Sequence, residues 1–460
     1  MSALYSSLQG ADAPDDAKDA AEAKRLRRNW AFLALCFSLN HGCVTALIAL
    51  ASSSLGYSLG NTSSGILYCV YTLTAAFGSK ALTVLAGAKR TLSIGLWVYC
   101  GYVASYLVAY YYEDNAGVQR LAIYTGAVLG GLAAGVLWPA QGTYYACTAD
   151  RYARCAGMPR AAANSVLGAD FAAFYLACEV AMKLLSSALP SLLPDALAKR
   201  TLYALFTSVA CAAAAGVSLV DDVEAPDGST FKERLARLDV GAAAASALRL
   251  LAGDAKCACM VPMNFAFGFG AAYLNGYFFS NVVAPGLGAE NIGYVSSIVV
   301  GTAAACAVPL GRLGRAAGTQ LPLVALGACC FGIFAAANLA ASATKLQAWA
   351  SVVPLVMLFG VGRSVWENNF KASFADYFPN DTTAAFANVQ LQSGVASTVG
   401  FFLNSKSFGN VDPKVIGRIA VASAILAVIG QVAAAELHRR EQRSKARLCA
   451  TSPLDSETII

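Results

Sequence analysis

The chain of 460 residues is 57% hydrophobic and only 13% charged, with a mean hydropathy of +0.55. Soluble domains contain about 25% charged residues, so this composition excludes an ordinary soluble domain and indicates a protein embedded in a bilayer. The formal net charge of +6 does not require a nucleic-acid partner, because basic loops retained on the cytoplasmic side of a membrane account for it.

Twelve apolar stretches are each long enough to cross a bilayer as a helix, which takes about 20 residues. Backbone polar groups in lipid must be paired within their own segment, so we expect helices throughout. Residues 1–29 lack the apolar core of a signal peptide, so we expect the first span to be a retained helix. The placement of basic residues predicts that 1–29 form a cytoplasmic tail. The predicted spans are 30–52, 63–86, 92–112, 119–147, 164–189, 200–220, 257–283, 291–311, 319–342, 347–376, 384–404 and 415–436.

The first span contains Asn40 and His41. Histidine changes charge near neutral pH, which makes His41 a candidate sensor in an acidic organelle; the alternative is a hydrogen-bonded packing residue. The loop that follows carries the glycosylation sequence Asn61-Thr62-Ser63. It predicts a glycan on Asn61.

Two short loops at matching places in the two halves combine glycine with basic residues. They read Gly87-Ala88-Lys89-Arg90 and Gly311-Arg312-Leu313-Gly314-Arg315. Glycine permits a tight chain reversal, so we predict a reversal at each of them.

Polar residues in the fourth and fifth spans are candidates for a central site. The fourth span carries Trp138, Gln141 and Tyr144. In the fifth span Asp170 has no oppositely charged residue within one turn, so it is either protonated or meets a cation from another helix. Asp170 is therefore a candidate for proton or cation coupling, unless it lies at the aqueous end of its helix.

A charged segment divides the spans six and six. Residues 231–251 of this 221–256 linker predict an amphipathic helix on the membrane surface. The predicted order is an N-terminal six-helix bundle over 30–220, the linker, a C-terminal six-helix bundle over 257–436 and a cytoplasmic tail over 437–460. This layout resembles the major facilitator fold, in which two helical halves rock about a central cavity. In such a fold Asn275, in the seventh span, would line the cavity.

The tenth span is the most polar. Arg363, Glu367 and Lys371 stand four residues apart, so they share one helix face, where each neighbouring pair can form an ion pair. A charge within a span costs about 2.5–3.5 kcal/mol, and these residues, with Trp366, predict a binding or coupling site. The alternative is a ladder of salt bridges that locks two helices together.

Two segments resemble the Unc-ninety-three family of ion-channel regulatory proteins. One is the run Gly135-Val136-Leu137-Trp138-Pro139-Ala140-Gln141-Gly142-Thr143-Tyr144-Tyr145; the other extends from Leu358 to Phe370 and is followed by Tyr377-Phe378-Pro379. The resemblance implies a major facilitator fold and association with a membrane partner, such as a channel subunit or a trafficked receptor.

The basic loops place both termini in the cytoplasm, and we expect a plasma-membrane or endosomal/lysosomal-type location. The sequence lacks a phosphate loop, a catalytic triad and a metal-ligand cluster, so we expect no enzyme, cofactor or metal. Two functions stay open. One is an alternating-access transporter of a small solute or ion; the other is a non-transporting regulator or trafficking scaffold for a channel or receptor.

Overall fold

The computed structural model describes residues 16–224, 231–236, 241–406, 409 and 411–451, and all regular structure among them is helical. Twelve long helical segments, numbered here first to twelfth in chain order, match the twelve predicted spans. They form the two six-helix bundles of the major facilitator fold, which confirms the predicted fold class.

The first six segments form the N-terminal half. Most are single α-helices; the second is interrupted at Gly78. Their bounds are Asp16–Ser54, Tyr57–Phe77 continued by Ser79–Ala86, Ala88–Tyr111, Ala116–Cys155, Arg160–Leu192 and Asp195–Gly216.

The last six segments form the C-terminal half, and two of them contain π-helical turns. The seventh comprises Ala255–Ala272, a π-helix over Tyr273–Val283 and Ala284–Leu287; the tenth comprises Trp349–Val365, a π-helix over Trp366–Phe370 and Lys371–Tyr377. The eighth, ninth, eleventh and twelfth are Ile292–Ala317, Leu321–Ala340, Thr382–Asn404 and Pro413–Thr451. Such π turns are rare and frequently occur at functional sites.

The first and last helices extend well beyond their apolar parts, so the predicted tails are partly helical. The first begins at Asp16, and within its polar extension Arg25 pairs with Glu22 at 2.8 Å. The twelfth continues to Thr451, with His438 stacked on Tyr377 at 4.4 Å between ring centroids. We call the side on which these helices begin and end the terminal face. The rest of both predicted tails, residues 1–15 and 452–460, lies outside the described residues.

The single linker helix predicted over 231–251 is wrong. The structure has two helices, Phe231–Ala236 and Ala242–Gly253, and residues 225–230 and 237–240 of the predicted linker lie outside the described residues. Gly241 precedes the second helix with a φ of 91°, a left-handed conformation that an α-helix cannot contain. The second linker helix packs on the eleventh helix, where Asn388 donates to the carbonyl of Ala247 at 2.8 Å.

The predicted reversal is correct in the first half and wrong in the second. Gly87 has a φ of 81° and separates the second and third helices. Gly311 and Gly314 instead lie inside the eighth helix, which ends at Gly318 with a φ of 63°. A Cβ on Gly314 would lie 2.3 Å from Oε1 of Gln320, so glycine at 314 permits close packing rather than a turn.

Ten helices of the described chain are long and apolar enough to cross a membrane. The two more polar segments, the second and the eleventh, pack against each other between the halves. Tyr71 donates to Gln390 at 2.9 Å, and a Cβ on Gly394 would lie 2.2 Å from Oγ1 of Thr72. Their polar side chains therefore meet protein rather than lipid, which explains their lower hydropathy.

The halves are also joined on the side opposite the terminal face. Ser52 donates to the carbonyl of Asn275 at 2.7 Å, and Tyr57 donates to Asn404 at 3.1 Å. The backbone N–H of Tyr294 donates to Ser187 at 2.9 Å. These bonds close the opposite face around the cavity described next.

Candidate functional site

A cavity of about 420 Å³ lies between the two halves. This volume is within the range of about 300–1,000 Å³ that is typical of small-molecule sites. Polar or aromatic side chains reach it from nine helices of the described chain, among them His41, Tyr68, Tyr71, Tyr99, Trp138, Tyr175, Glu179, Lys183, Asn275, Ser296, Arg363, Trp366, Glu367, Lys371 and Gln390.

A cluster of four charged side chains crosses this cavity from one half to the other. Glu179 of the fifth helix accepts from Lys183 at 2.8 Å and from both terminal nitrogens of Arg363 at 3.0 and 3.2 Å. Arg363, from the tenth helix, also donates its Nε to Glu367 at 2.9 Å. Two carboxylates and two cations thus neutralise one another, which a low-dielectric interior requires of buried charges.

Lys371 does not continue the ladder that its four-residue spacing predicted. The π-helix over Trp366–Phe370 adds a residue to the turn between Glu367 and Lys371, so the two side chains no longer follow α-helical register. The Lys371 ammonium instead lies 4.4 Å from the centroid of the Trp366 ring. The same ring stacks on Phe267 at 3.7 Å between centroids, and its Nε1–H donates to Oδ1 of Asn264 at 3.0 Å.

Aromatic residues of the N-terminal half form another wall. His41 lies 5.3 Å from Trp138 and 5.4 Å from Tyr175 between ring centroids. Its Nε2 is 3.2 Å from the Tyr175 hydroxyl, whereas its Nδ1 is buried without a partner among the described residues. His41 thus packs in an aromatic cluster and also lines the cavity, whereas its role as a pH sensor stays a prediction.

Three predicted site residues lie away from the cavity lining. Asn40 is fully buried and donates to the carbonyls of Leu96 and Ala210, which ties the first helix to the third and sixth. Tyr144 donates to the carbonyl of Asp221 at 2.6 Å near the terminal face. Gln141 is half-buried on the fourth helix, outside the lining.

Asp170 also lies outside the cavity, in the part of the fifth helix nearer the terminal face. Arg27 donates to both of its carboxylate oxygens, at 2.7 and 3.0 Å. Of the two alternatives for Asp170, protonation or a cation from another helix, the structure thus shows the cation. It is Arg27, in the polar extension of the first helix, which like Asp170 lies outside the cavity lining.

The glycan on Asn61 stays a prediction, and the folded structure does not favour it. Asn61 lies within the second helix, is 0% exposed and donates to the carbonyls of Tyr57 and Gly276. A Cβ on Gly276 would lie 2.2 Å from Oδ1 of Asn61. The Asn61 side chain therefore belongs to the contact between the halves, where the folded protein leaves no room for a glycan.

Sequence reasoning missed Glu179 and Lys183 as site residues, because two opposite charges four apart in one helix neutralise each other locally. A signal was nevertheless present in the tenth span. There Arg363 and Lys371 share the single carboxylate of Glu367, so one cation needs a carboxylate from elsewhere. Glu179 supplies it to Arg363.

A family model described as ion channel regulatory protein UNC-93 matches residues 53–428 of this chain. Protein unc-93 homolog A of Bos taurus is 26% identical over 419 residues, which cover 81% of this chain and 86% of the relative. UNC93-like protein 3 of Arabidopsis thaliana is 22% identical over 365 residues, which cover 76% of this chain and 75% of that protein.

Solved transporter structures share the fold. A mutant of the nucleoside transporter NupG aligns with a TM-score of 0.63 and 11% identity, covering 89% of this chain and 99% of that chain. A bacterial homologue of the human drug peptide transporters PepT1 and PepT2 aligns with a TM-score of 0.60 and 14% identity, covering 92% of this chain and 99% of that chain. The xylose transporter XylE from E. coli aligns with a TM-score of 0.59 and 13% identity, covering 88% of this chain and 96% of that chain. At these identities the likeness establishes the fold alone.

Proposed function

Because the chain belongs to the UNC-93 family and has the major facilitator fold, we propose that it is an alternating-access transporter of a small solute or ion. The proposed site comprises the cavity-lining members of the predicted set, together with Glu179 and Lys183. Those members are His41, Trp138, Asn275, Arg363, Trp366, Glu367 and Lys371.

The ion pair between Glu179 and Arg363 carries this proposal. It is the contact that links a charge of one half to a charge of the other inside the cavity. A solute that binds either partner competes with the pair and so changes the free energy of contact between the halves. A ligand shifts a conformational equilibrium by its differential affinity for the two states. Competition for this ion pair would give a solute such a difference in affinity.

The orientation and the membrane are part of the proposal. Basic residues are enriched in the segments on the terminal face, which supports placing that face in the cytoplasm. The cavity would then be closed on the luminal or extracellular side by the bonds of Ser52, Tyr57 and Ser187. We propose a plasma-membrane or endosomal/lysosomal-type location.

A second candidate is a regulator or trafficking scaffold of a channel or receptor. The description of the matching family as ion channel regulatory proteins favours it. In that case the charged cluster would fix the contact between the halves, and the partner would bind elsewhere on the protein.

Uptake into proteoliposomes distinguishes the two candidates. Purified full-length protein is reconstituted and tested with radiolabelled nucleosides, dipeptides, monosaccharides, carboxylates, amines and potassium. Transport predicts uptake of at least one class, abolished by Arg363→Gln and retained by Arg440→Gln, which changes an exposed arginine. Lack of uptake, together with stoichiometric co-purification of a channel subunit, would establish the regulator instead.

A further inference from the structure

The charges that line the cavity do not balance. Three cationic side chains, Lys183, Arg363 and Lys371, face two carboxylates, Glu179 and Glu367. His41 is the remaining titratable nitrogen base in the lining, and it is buried among Phe37, Trp138 and Tyr175. The described lining therefore carries one surplus positive charge when His41 is neutral.

The surplus charge is located at Lys371. Lys183 and Arg363 are each within 3.0 Å of a carboxylate oxygen. Lys371 closes no ion pair with a residue that the structure describes, and its ammonium lies over the face of Trp366. Cation–π contact offsets part of the cost of desolvation but leaves the N–H donors of an ammonium available to an anion.

The rest of the lining is suited to an organic molecule rather than to a bare ion. Tyr68, Tyr71, Trp138 and Phe267 present ring surfaces to a cavity of about 420 Å³. A simple halide or alkali ion would leave most of that apolar surface uncovered, whereas pockets for organic ligands combine such walls with a few oriented polar groups.

We propose that the ligand of this cavity is a monovalent organic anion, an aromatic or aliphatic carboxylate, whose charged end is held by Lys371. Its apolar body would lie against the rings of Tyr68, Tyr71 and Trp138. The anion neutralises the surplus charge, so the loaded cavity is electrically balanced. This inference rests on the proposed function in that it names the substrate class of the same site.

Equilibrium binding to the purified full-length protein tests the inference. The probes are radiolabelled phenylacetate and hexanoate. Phenylacetamide, phenethylamine and phenylalanine are the neutral, cationic and zwitterionic competitors. We expect both carboxylates to bind and the three competitors to displace them poorly. Lys371→Gln should weaken phenylacetate binding about tenfold or more, because a charge-assisted hydrogen bond contributes affinity of that order.

Two variants keep the result interpretable. Lys371→Arg retains the cation and should retain binding. Lys345→Gln changes an exposed lysine in the short helix Ala343–Leu346, between the ninth and tenth helices, and should bind as wild type does. The ranking of probes on the wild-type protein holds whether or not a variant folds. Preferential binding of phenethylamine or phenylalanine, absence of binding by every probe, or wild-type affinity in Lys371→Gln would overturn the inference.

Uptake of the same probes separates this inference from the proposed function. Binding of phenylacetate that depends on Lys371, without uptake into proteoliposomes, would refute transport and support the anion site. Uptake of phenethylamine with no binding of either carboxylate would support transport and refute the anion site.

Discussion

Glu179 and Arg363 form a two-point ion pair at 3.0 and 3.2 Å, although 184 residues separate them in the chain. Each belongs to a different half of the molecule, and Glu179 is only 2% exposed. The pair couples the electrostatics of the cavity to the contact between the halves. A change to either residue therefore acts on stability and on conformational equilibrium together.

Replacement of Glu179 by glutamine should strongly destabilise the protein. The change removes the carboxylate that contacts two cations, and loss of one partner from a buried ion pair costs about 3–5 kcal/mol. Thermal unfolding in detergent, followed by intrinsic fluorescence, measures the effect. The double variant Glu179→Gln/Lys183→Gln removes a matched pair and leaves Arg363 on Glu367, so it should recover part of the lost stability without recovering uptake.

A control for this experiment is Glu436→Gln, which breaks an exposed pair with Arg440. It should leave the unfolding temperature unchanged, since exposed ion pairs contribute little. If the single variant at position 179 unfolds at the wild-type temperature, the buried cluster does not hold the halves together.

Gly293→Ala should loosen the contact between the fifth and eighth helices. A Cβ at this position would lie 2.2 Å from the carbonyl oxygen of Lys183 and 2.3 Å from Oγ of Ser186, so the two backbones must separate. Hydrogen exchange in peptides covering 183–192 should accelerate. The matched control is Gly301→Ala in the same helix, where no described atom beyond the adjoining helix backbone lies within 4 Å of the added carbon. Unchanged exchange in both variants would contradict the packing argument.

Asp170→Asn should have a small effect. The carboxylate pairs with Arg27 near the terminal face, where the arginine side chain is half exposed, so the pair contributes at most about 1 kcal/mol. We expect a slightly lower unfolding temperature and an unaltered pH profile of uptake. A shifted pH profile would mean that Asp170 exchanges protons during transport, as the sequence analysis allowed.

Asn61 should carry no glycan. Protein expressed in a eukaryotic cell should show the same gel mobility before and after treatment with an endoglycosidase, because the Asn61 side chain is buried between the halves. Asn61→Gln should lower thermal stability, since it removes the fitted contact with Gly276. A mobility shift that disappears in Asn61→Gln would show that this segment is exposed during or after membrane insertion.

The sequence predicted the fold well because the bilayer imposes a simple rule. Long apolar runs locate the membrane part of each helix, but they do not locate its ends. The first helix extends from Asp16 and the last to Thr451, because charged helical extensions are stabilised by contacts such as Arg27 with Asp170 and Tyr377 with His438. The predicted loop at Gly311 failed for the same reason, since hydropathy falls there while the helix continues.

The sequence by itself determined the twelve-helix architecture, the family and the concentration of polar residues in the tenth span, since all of these follow from local composition and motifs. Only the tertiary structure decided which polar residues share a cavity. It brought Glu179 and Lys183 to Arg363 and left Asn40, Tyr144 and Asp170 outside. Helix rotation and the π turns set these positions, and both depend on packing between segments distant in the chain.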